Sequence, residues 1–267
     1  MITVTYDSAR TLDRIGPNSL PSDVEWIVID NASADDSARA AERAGATRVI
    51  RLRDNRGFAA ANNLALEVAK GRYVLFANPD LDFDPIDLPR LQVELDREPG
   101  LVSPQLINID GTLQPNGRGF PTPLNKIRNR LPSARRSAYQ IMAQPGQIKP
   151  VCFLMGASVA TTIQFIRALG GWDERCFVYY EDHDLGFRAW DHGARVRVVG
   201  DINWTHGWAR ETKRLAFQPW RHEIRSAAPF FGKYHQLLLG SRAAAVRWPR
   251  IAAAIGTEAR VNGSRRG

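Results

Sequence analysis

Five short apolar runs punctuate the first part of the chain: Ile2–Tyr6, Glu25–Ile29, Arg48–Leu52, Tyr73–Ala77 and Leu101–Ile107. Each is too short for a helix and rich in β-branched, leucine or aromatic side chains, which marks a strand. Helices are expected between them. Ser33 caps one that runs through Ala44, with Asp35 and Asp36 in its first turn and Gly45 as its stop. Gly57–Ala69, closed by Gly71, is a second, and Ile86–Arg97 a third. This alternation leaves few architectures open. It requires an α/β fold whose sheet is mostly parallel, with right-handed crossovers.

The rhythm is then interrupted. Asp110-Gly111 marks a hairpin turn. Residues 115–149 hold Pro115, Pro121, Pro123, Pro132 and Pro145 and read as a mobile loop. Their cluster Lys126, Arg128, Arg130, Arg135 and Arg136 either faces a phosphorylated acceptor or is simply solvated. Beyond the loop, strands are expected at Val151–Ala160, Cys176–Tyr180, Arg195–Val199 and Ile202–His206, with helices at Thr162–Leu169 and Asp184–Trp190. The division that follows is one domain over residues 1–213, made of a first half (1–114), the loop (115–149) and a second half (150–213). A basic helical extension, 214–267, ends in a tail expected to be disordered.

Two acidic sites stand out. Tyr73–Ala77 runs into Asn78-Pro79-Asp80-Leu81-Asp82, and Pro79 ends the strand. Asp80 and Asp82 thus project from the carboxyl edge, where open α/β sheets bind ligands. Oxygen ligands there suit Mg²⁺ or Mn²⁺ shared with substrate phosphates; an Asn-Pro-Asp turn is the plain alternative. The second site is Glu181-Asp182-His183-Asp184, which follows an apolar run and opens a helix. A carboxylate backed by an apolar strand can act as a general base, whereas acids at a helix start also serve capping alone.

Charge and cysteine content narrow the classes. Residues 204–267 carry 12 Lys and Arg against 3 Asp and Glu, while residues 1–203 carry 24 against 25, so the whole excess of +8 lies in the last quarter. No helix-turn-helix, RNP-type strand or zinc knuckle accompanies it, which argues against nucleic acid and leaves phosphorylated small molecules and lipid head groups. Cys152 and Cys176 lack metal-type spacing and fit a reducing, cytoplasmic setting. No signal peptide and no apolar run of about 20 residues is seen.

Seven segments, in order, carry a resemblance. They are Thr3–Ser8, Trp26–Ser33, Asp54–Asn62, Phe76–Asp80, Gly156–Ser158, Gly170–Glu174 and Tyr180–Leu185. Together they resemble inverting family 2 glycosyltransferases of the GT-A fold, and among those the rhamnosyltransferase type, over roughly residues 2–210. The resemblance implies a Rossmann-like, mostly parallel sheet whose first half binds a nucleoside-diphosphate sugar, dTDP- or UDP-linked. The second half would bind the acceptor, a glycan or a polyprenyl-diphosphate-linked sugar of the cell envelope.

Roles follow from the same resemblance. Thr5, Tyr6, Asp30 and Asn31 would line the base and ribose pocket, with Asp30 accepting from a pyrimidine N–H and Asn31 alternatively forming the turn. Arg56, Gly57 and Asn78 would lie along the diphosphate, Arg56 being otherwise an exposed loop arginine. Asp80 would bind the metal; the family often has Asp-x-Asp, and Asn78 at the first place implies weaker metal binding. Asp82 would stand behind it or on the surface. His206 would reach the metal or the diphosphate, or be structural, with Arg210 a further phosphate contact. Asp182 would be the base, with Glu181 and Asp184 as competitors, and like charges nearby are expected to raise one carboxylate. Gly156, Trp172, Asp173 and Glu181 would meet the acceptor, Trp172 offering a face to a sugar or filling the core. His183, His192, His222 and His235 show no ligand spacing.

The family usually has apolar residues before the first Thr-Tyr. Here the first strand starts at residue 2, so either the start lies upstream or that strand is frayed. The tail's aromatics, Trp208, Trp220, Phe230, Phe231 and Trp248, with Leu237–Leu239 and Ala243–Val246, suggest either peripheral contact with the inner face of the membrane or helices packed on the domain or on a second copy in a homodimer. Two rival classes remain at this stage. A sugar nucleotidyltransferase should carry a Gly-rich basic loop where Asp7-Ser8-Ala9-Arg10 stands, and a non-catalytic membrane-surface scaffold would not need Asp30, Asp80 and Asp182.

Overall fold

Strand β1 (Ile2–Thr5) is paired along its whole length with β2 (Ile27–Asp30), in parallel, with Thr5 opposite Asp30. It is therefore not frayed. The computed structural model describes residues 1–15, 20–129, 139–207 and 217–261. Between the first two strands lies α1 (Ala9–Leu12); after them come α2 (Ser37–Arg43), β3 (Arg48–Arg51), α3 (Phe58–Val68) and β4 (Tyr73–Ala77). Helix α2 begins later than its Ser33 signal suggested, because the Ser33 hydroxyl instead donates to Asp30. Next are β5 (Leu81–Asp82), a 3₁₀ turn at Pro85–Asp87, α4 (Leu88–Arg97) and β6 (Gly100–Ile107).

The proline-rich stretch is more ordered than its composition implies. It contains β7 (Gly117–Arg118), α5 (Pro123–Asn129), β8 (Gln140–Ile141) and β9 (Ile148–Pro150). Buried polar side chains hold it: Asn116 Nδ2 donates to Ser103 Oγ at 3.0 Å, and the Ala143 N–H donates to Gln105 Oε1 at 2.7 Å. Arg130, Arg135 and Arg136 lie outside the described residues.

The expected strand at 151–160 is broken near Gly156 into β10 (Phe153–Leu154) and β11 (Ser158–Thr162). Strands β10, β7 and β8 form a small antiparallel sheet of their own. Helix α6 (Ile163–Ala168) is capped by Thr162 Oγ1, which accepts from the Phe165 N–H at 3.1 Å. After α7 (Glu181–Asp191) comes β12 (Arg195–His206), one strand where two were expected. A bulge between Val199 and Asn203 lets it continue, and a Cβ at Gly200 would stand 2.0 Å from the Gln144 carbonyl oxygen.

Cys176–Tyr180 is not a strand. Tyr179 and Tyr180 take φ of +70° and +71°, a left-handed conformation that no strand passes through. The run is apolar because it is clasped by loops and helices rather than by sheet neighbours. Phe58 N–H donates to Phe177 O at 2.9 Å, and Ser226 Oγ donates to Val178 O at 2.8 Å.

The main sheet has the order β3-β2-β1-β4-β11-β6-β12-β5, with β9 also on β12. Strand β11 runs antiparallel to β4 and β6, so the sheet is mixed but mostly parallel. Strand order reverses at β1, with β2 on one side and β4 on the other, which opens a crevice at their carboxyl ends. The main core includes Phe76, Phe153, Trp172 and Phe187. The C-terminal segment α8 (Phe217–Lys233), a 3₁₀ turn His235–Leu239, α9 (Ser241–Arg247) and α10 (Pro249–Val261) adds Phe230, Tyr234, Leu237, Trp248 and Ile251 to it. Phe230 and Trp248 are thus buried and not available to a membrane. Among the described residues no helix is long and apolar enough to cross one.

Candidate active site

The crevice collects the carboxyl ends of β1, β2 and β4. Thr5 is fully buried, and its Oγ1 has no hydrogen-bond partner. Asp30, opposite it, is buried, and its Oδ1 accepts from the Ser33 N–H at 3.3 Å and from the Ser33 hydroxyl. Tyr6 is 54% exposed beside them. Asn31 takes the turn-forming role that was its alternative. Its Nδ2 donates to Asn55 Oδ1 at 2.9 Å and to Gly57 O at 3.3 Å, and its Oδ1 accepts from the Arg56 N–H at 2.9 Å. Both the amide nitrogen and the amide oxygen thus brace the 55–57 turn. Gly57 has φ +85°, and a Cβ there would lie 2.3 Å from Phe177 O, so its absence lets α3 start against the 176–180 loop. The Arg56 side chain is exposed.

At the end of β4, the Asn78 N–H donates to Ala157 O at 2.9 Å. Asp80 and His206, more than a hundred residues apart in sequence, meet because β5 pairs with the end of β12. His206 Nε2 lies 3.2 Å from Asp80 Oδ1, and its Nδ1 lies 2.8 Å from Gln114 Oε1. Gln114 therefore accepts from Nδ1–H and presents the opposite nitrogen to the carboxylate. The 3.2 Å gap fits adjacent ligands of one octahedral ion, which stand about 3.0 Å apart when each is about 2.1 Å from the metal. No group of three or more His, Cys, Asp or Glu is placed to hold a metal ion among the described residues. Such a pair suits an ion that takes its remaining ligands from water and phosphate. Asp82 is exposed on β5. Arg210 lies outside the described residues.

The second acidic site adjoins the first through β11. Gly156, one residue before Ala157, donates its N–H to Asp182 Oδ2 at 3.3 Å. A Cβ at Gly156 would come 3.4 Å from the Phe58 ring and 3.8 Å from Asp182 Cβ. The three acids opening α7 have different fates. Asp184 is buried, its Oδ1 accepting from Lys233 Nζ at 2.5 Å and Tyr234 Oη at 2.8 Å, and its Oδ2 from Arg188 Nε at 2.5 Å. Glu181 is buried with Oε2 unpartnered; burial, then the neighbouring Asp182 charge, pushes its carboxyl well above the usual range. Burial also works to raise Asp182. The His183 ring and the N–H groups of His183 and Gly156 outweigh it and leave Asp182 below the usual carboxylate range. The raised carboxyl expected of this cluster is therefore Glu181, and Asp182 is held low.

Two expected acceptor contacts are engaged elsewhere. The Trp172 ring is 2% exposed, set edge-on between Phe58 and Phe76 with centroids at 5.4 and 5.0 Å, so it offers no face to a sugar. Asp173 forms a two-point pair with Arg175, at 2.9 and 2.6 Å, which holds its carboxyl below the usual range. Asn63 ties this loop to α3, accepting from the Trp172 N–H at 2.8 Å. Gln114 was not singled out in the sequence, and His183 was set aside for want of ligand spacing. Gln114 ends the first half, just before the stretch read as loop, and its partner His206 is 92 residues further on. A cavity of about 180 Å³ lies at the amino ends of β1 and β4, lined by Ile2, Tyr73, Leu75 and Leu91, away from all of these residues.

Sheet order and the crevice at the carboxyl ends of β1, β2 and β4 are those of the GT-A fold. Solved structures agree on the fold. A mannosyltransferase from Pyrobaculum calidifontis, PcManGT in complex with GDP-Man and Mn²⁺, is similar with a TM-score of 0.58 and 19% identity, over 97% of this chain and 74% of that one. GalNAc-T7 with UDP, GalNAc and Mn²⁺ is similar with a TM-score of 0.57 and 16% identity, over 78% of this chain and 42% of that one. Residues 2–133 match the family described as Glycosyl transferase family 2. An N-acetylglucosaminyl-diphospho-decaprenol L-rhamnosyltransferase of Mycobacterium tuberculosis is 28% identical over 80% of this chain and 77% of its own length. The family match and this relative together support a family 2 glycosyltransferase, similar to rhamnosyltransferases at modest identity.

Proposed function

We propose that the protein transfers a sugar, rhamnose, from a dTDP- or UDP-linked donor to a hydroxyl of a polyprenyl-diphosphate-linked or glycan acceptor, with inversion, in cell-envelope polysaccharide synthesis. The observation that carries the reading is the sorting of three adjacent acids. Glu181 is buried with its carboxyl pushed well up, Asp184 is saturated by Lys233, Tyr234 and Arg188, and Asp182, held below the usual carboxylate range, turns one oxygen toward Gly156. Asp182 Oδ2 takes the hydroxyl proton as the acceptor oxygen attacks the anomeric carbon. The new C–O bond forms while the bond to the diphosphate oxygen breaks, and the electron pair leaves with the nucleoside diphosphate. Thr5, Tyr6 and Asp30 hold the base and ribose, with Arg56 and Asn78 beside the diphosphate. Asp80 and His206 hold Mg²⁺ or Mn²⁺, which supplies positive charge for the leaving diphosphate. The rhamnosyl donor and lipid-linked acceptor are carried over from the mycobacterial L-rhamnosyltransferase that this chain resembles.

The test combines two variants and a chelator. Asp182→Asn is expected to lower turnover about 10²- to 10⁴-fold with nucleotide-sugar affinity near wild type. EDTA is expected to abolish transfer until Mg²⁺ or Mn²⁺ is restored, and Asp80→Ala to weaken diphosphate binding. Near-normal turnover of Asp182→Asn, or a product of retained anomeric configuration, overturns the base assignment.

A further inference from the structure

We propose that His183 is the positioning residue for Asp182: its ring Nδ1–H and its own backbone N–H together hold Oδ1, which leaves Oδ2 to take the acceptor's proton. The proposal rests on the reading of Asp182 as the base. Nδ1 lies 2.5 Å from Oδ1, and the backbone nitrogen lies 2.8 Å from the same oxygen. Two bare lone pairs repel at such a distance, so a proton lies between them, and with Asp182 ionised it belongs to Nδ1. Among the described residues, Oδ2 meets only the Gly156 N–H, at 3.3 Å. The carboxylate is held asymmetrically, with its freer lone pairs on the side where a glycine leaves room.

The ring is kept from turning by its surroundings. It stacks on Phe153 with centroids 3.8 Å apart and planes 24° apart, lies 4.9 Å from the Tyr180 ring, and meets Phe230 edge-on at 5.5 Å. Its Nε2 is buried among them with no hydrogen-bond partner. A proton there would put an unpaired N–H and a charge in an apolar cage, so the ring remains neutral. Burial pushes the His183 ring down, and Lys126 and Arg118 add to this against the pull of Asp182. The charged and titratable groups facing the pair are Lys126 of α5, Arg118 of β7, Tyr139 just before β8, and Glu181 on α7. A neutral ring fixed in this way is a dipole aimed at Oδ1. It does not compete with Asp182 for the acceptor's proton.

Two measurements on the full chain test this. The first is the ¹⁵N spectrum of the histidine rings. His183 is expected as the Nδ1–H tautomer, without titration between about pH 5 and 8; an Nε2–H tautomer overturns the proposal whatever the activity. The second is the pH profile of transfer from dTDP-rhamnose to N-acetylglucosaminyl-diphospho-polyprenol. His183→Phe fits the aromatic cage but removes the donor. It is expected to lower kcat about 10- to 100-fold with KM for the donor little changed, and to move the acidic limb of kcat/KM to higher pH. His183→Asn, whose amide can donate to Oδ1, is expected to recover most of both. Equal loss in the two variants with an unmoved limb reduces His183 to packing and overturns the proposal. If His183 is the Nδ1–H tautomer but Asp182→Asn transfers normally, the base assignment fails and takes this proposal with it.

Discussion

Glu181 and Asp182 are neighbours of the same chemical type whose carboxyls are shifted in opposite directions, Glu181 up and Asp182 down, and the cause lies in their partners. Oε2 of Glu181 has none, whereas Asp182 receives three N–H groups. A carboxyl whose folded value is raised holds its proton in the native state after the unfolded chain has released it. Its contribution is then present below the unfolded value and lost as pH rises toward the folded one. Stability should accordingly fall with rising pH above the ordinary glutamate range of about 4.3, by at most about 1.4 kcal/mol per pH unit from this group. Glu181→Gln keeps the shape and removes the titration. Urea midpoints measured from pH 5 to 8 should therefore decline less steeply in the variant. Identical slopes would mean that Glu181 is already ionised in the native protein.

At the scale of elements, the start of α7 depends on α8. Asp184 gathers Lys233 and Tyr234 from α8 and the segment after it, together with Arg188 one turn along its own helix. Tyr179 and Tyr180 precede it in left-handed conformations, which cost about 1–3 kcal/mol each and persist only where surrounding contacts enforce them. Removing one partner of a buried ion pair leaves the others uncompensated, so Asp184→Ala is expected to cost about 3–5 kcal/mol in chemical denaturation. Lys233 can partly turn to solvent, which favours the lower figure. A loss below about 1 kcal/mol would show that α8 is held by its apolar face alone. The Asp184–Arg188 spacing was legible in the sequence. The link to Lys233 was not, because it joins positions 49 residues apart.

At the scale of the whole molecule, the basic C-terminal segment contributes both to the core and to the surface. Phe230, Tyr234, Leu237, Trp248 and Ile251 belong to the main core, so deleting residues 214–267 is expected to give an aggregated chain. Leu238, Leu239 and Val246 remain 54%, 76% and 82% exposed, near Arg242, Arg247 and Arg250 in sequence. A membrane-contact proposal is therefore tested by substituting these three with serine, not by truncation. The triple variant should keep its melting temperature and lose binding to anionic vesicles at low salt by about tenfold or more. Equal binding of the variant, or equal wild-type binding to neutral vesicles, would remove the membrane from the account.

Local pattern was enough for β1 to β4, for α3 and for the carboxyl edge at Asp30 and Asp80. Strand and helix periods are written in neighbouring residues, and Pro79 marks where a strand stops. Local pattern misled at Cys176–Tyr180, where an apolar run is buried by Phe58 and Ser226 rather than by strands, and at the described parts of the proline-rich stretch, where Asn116 and Ala143 are tied to Ser103 and Gln105 across the fold. It named three acids at residues 181–184 without separating them. Only tertiary structure did that, since protonation depends on which distant donors each carboxyl meets: Lys233 for Asp184, Gly156 for Asp182 and none for Glu181 Oε2. Apolar period is a property of adjacent positions, whereas desolvation and hydrogen bonding at a buried group are set by whatever the fold packs against it.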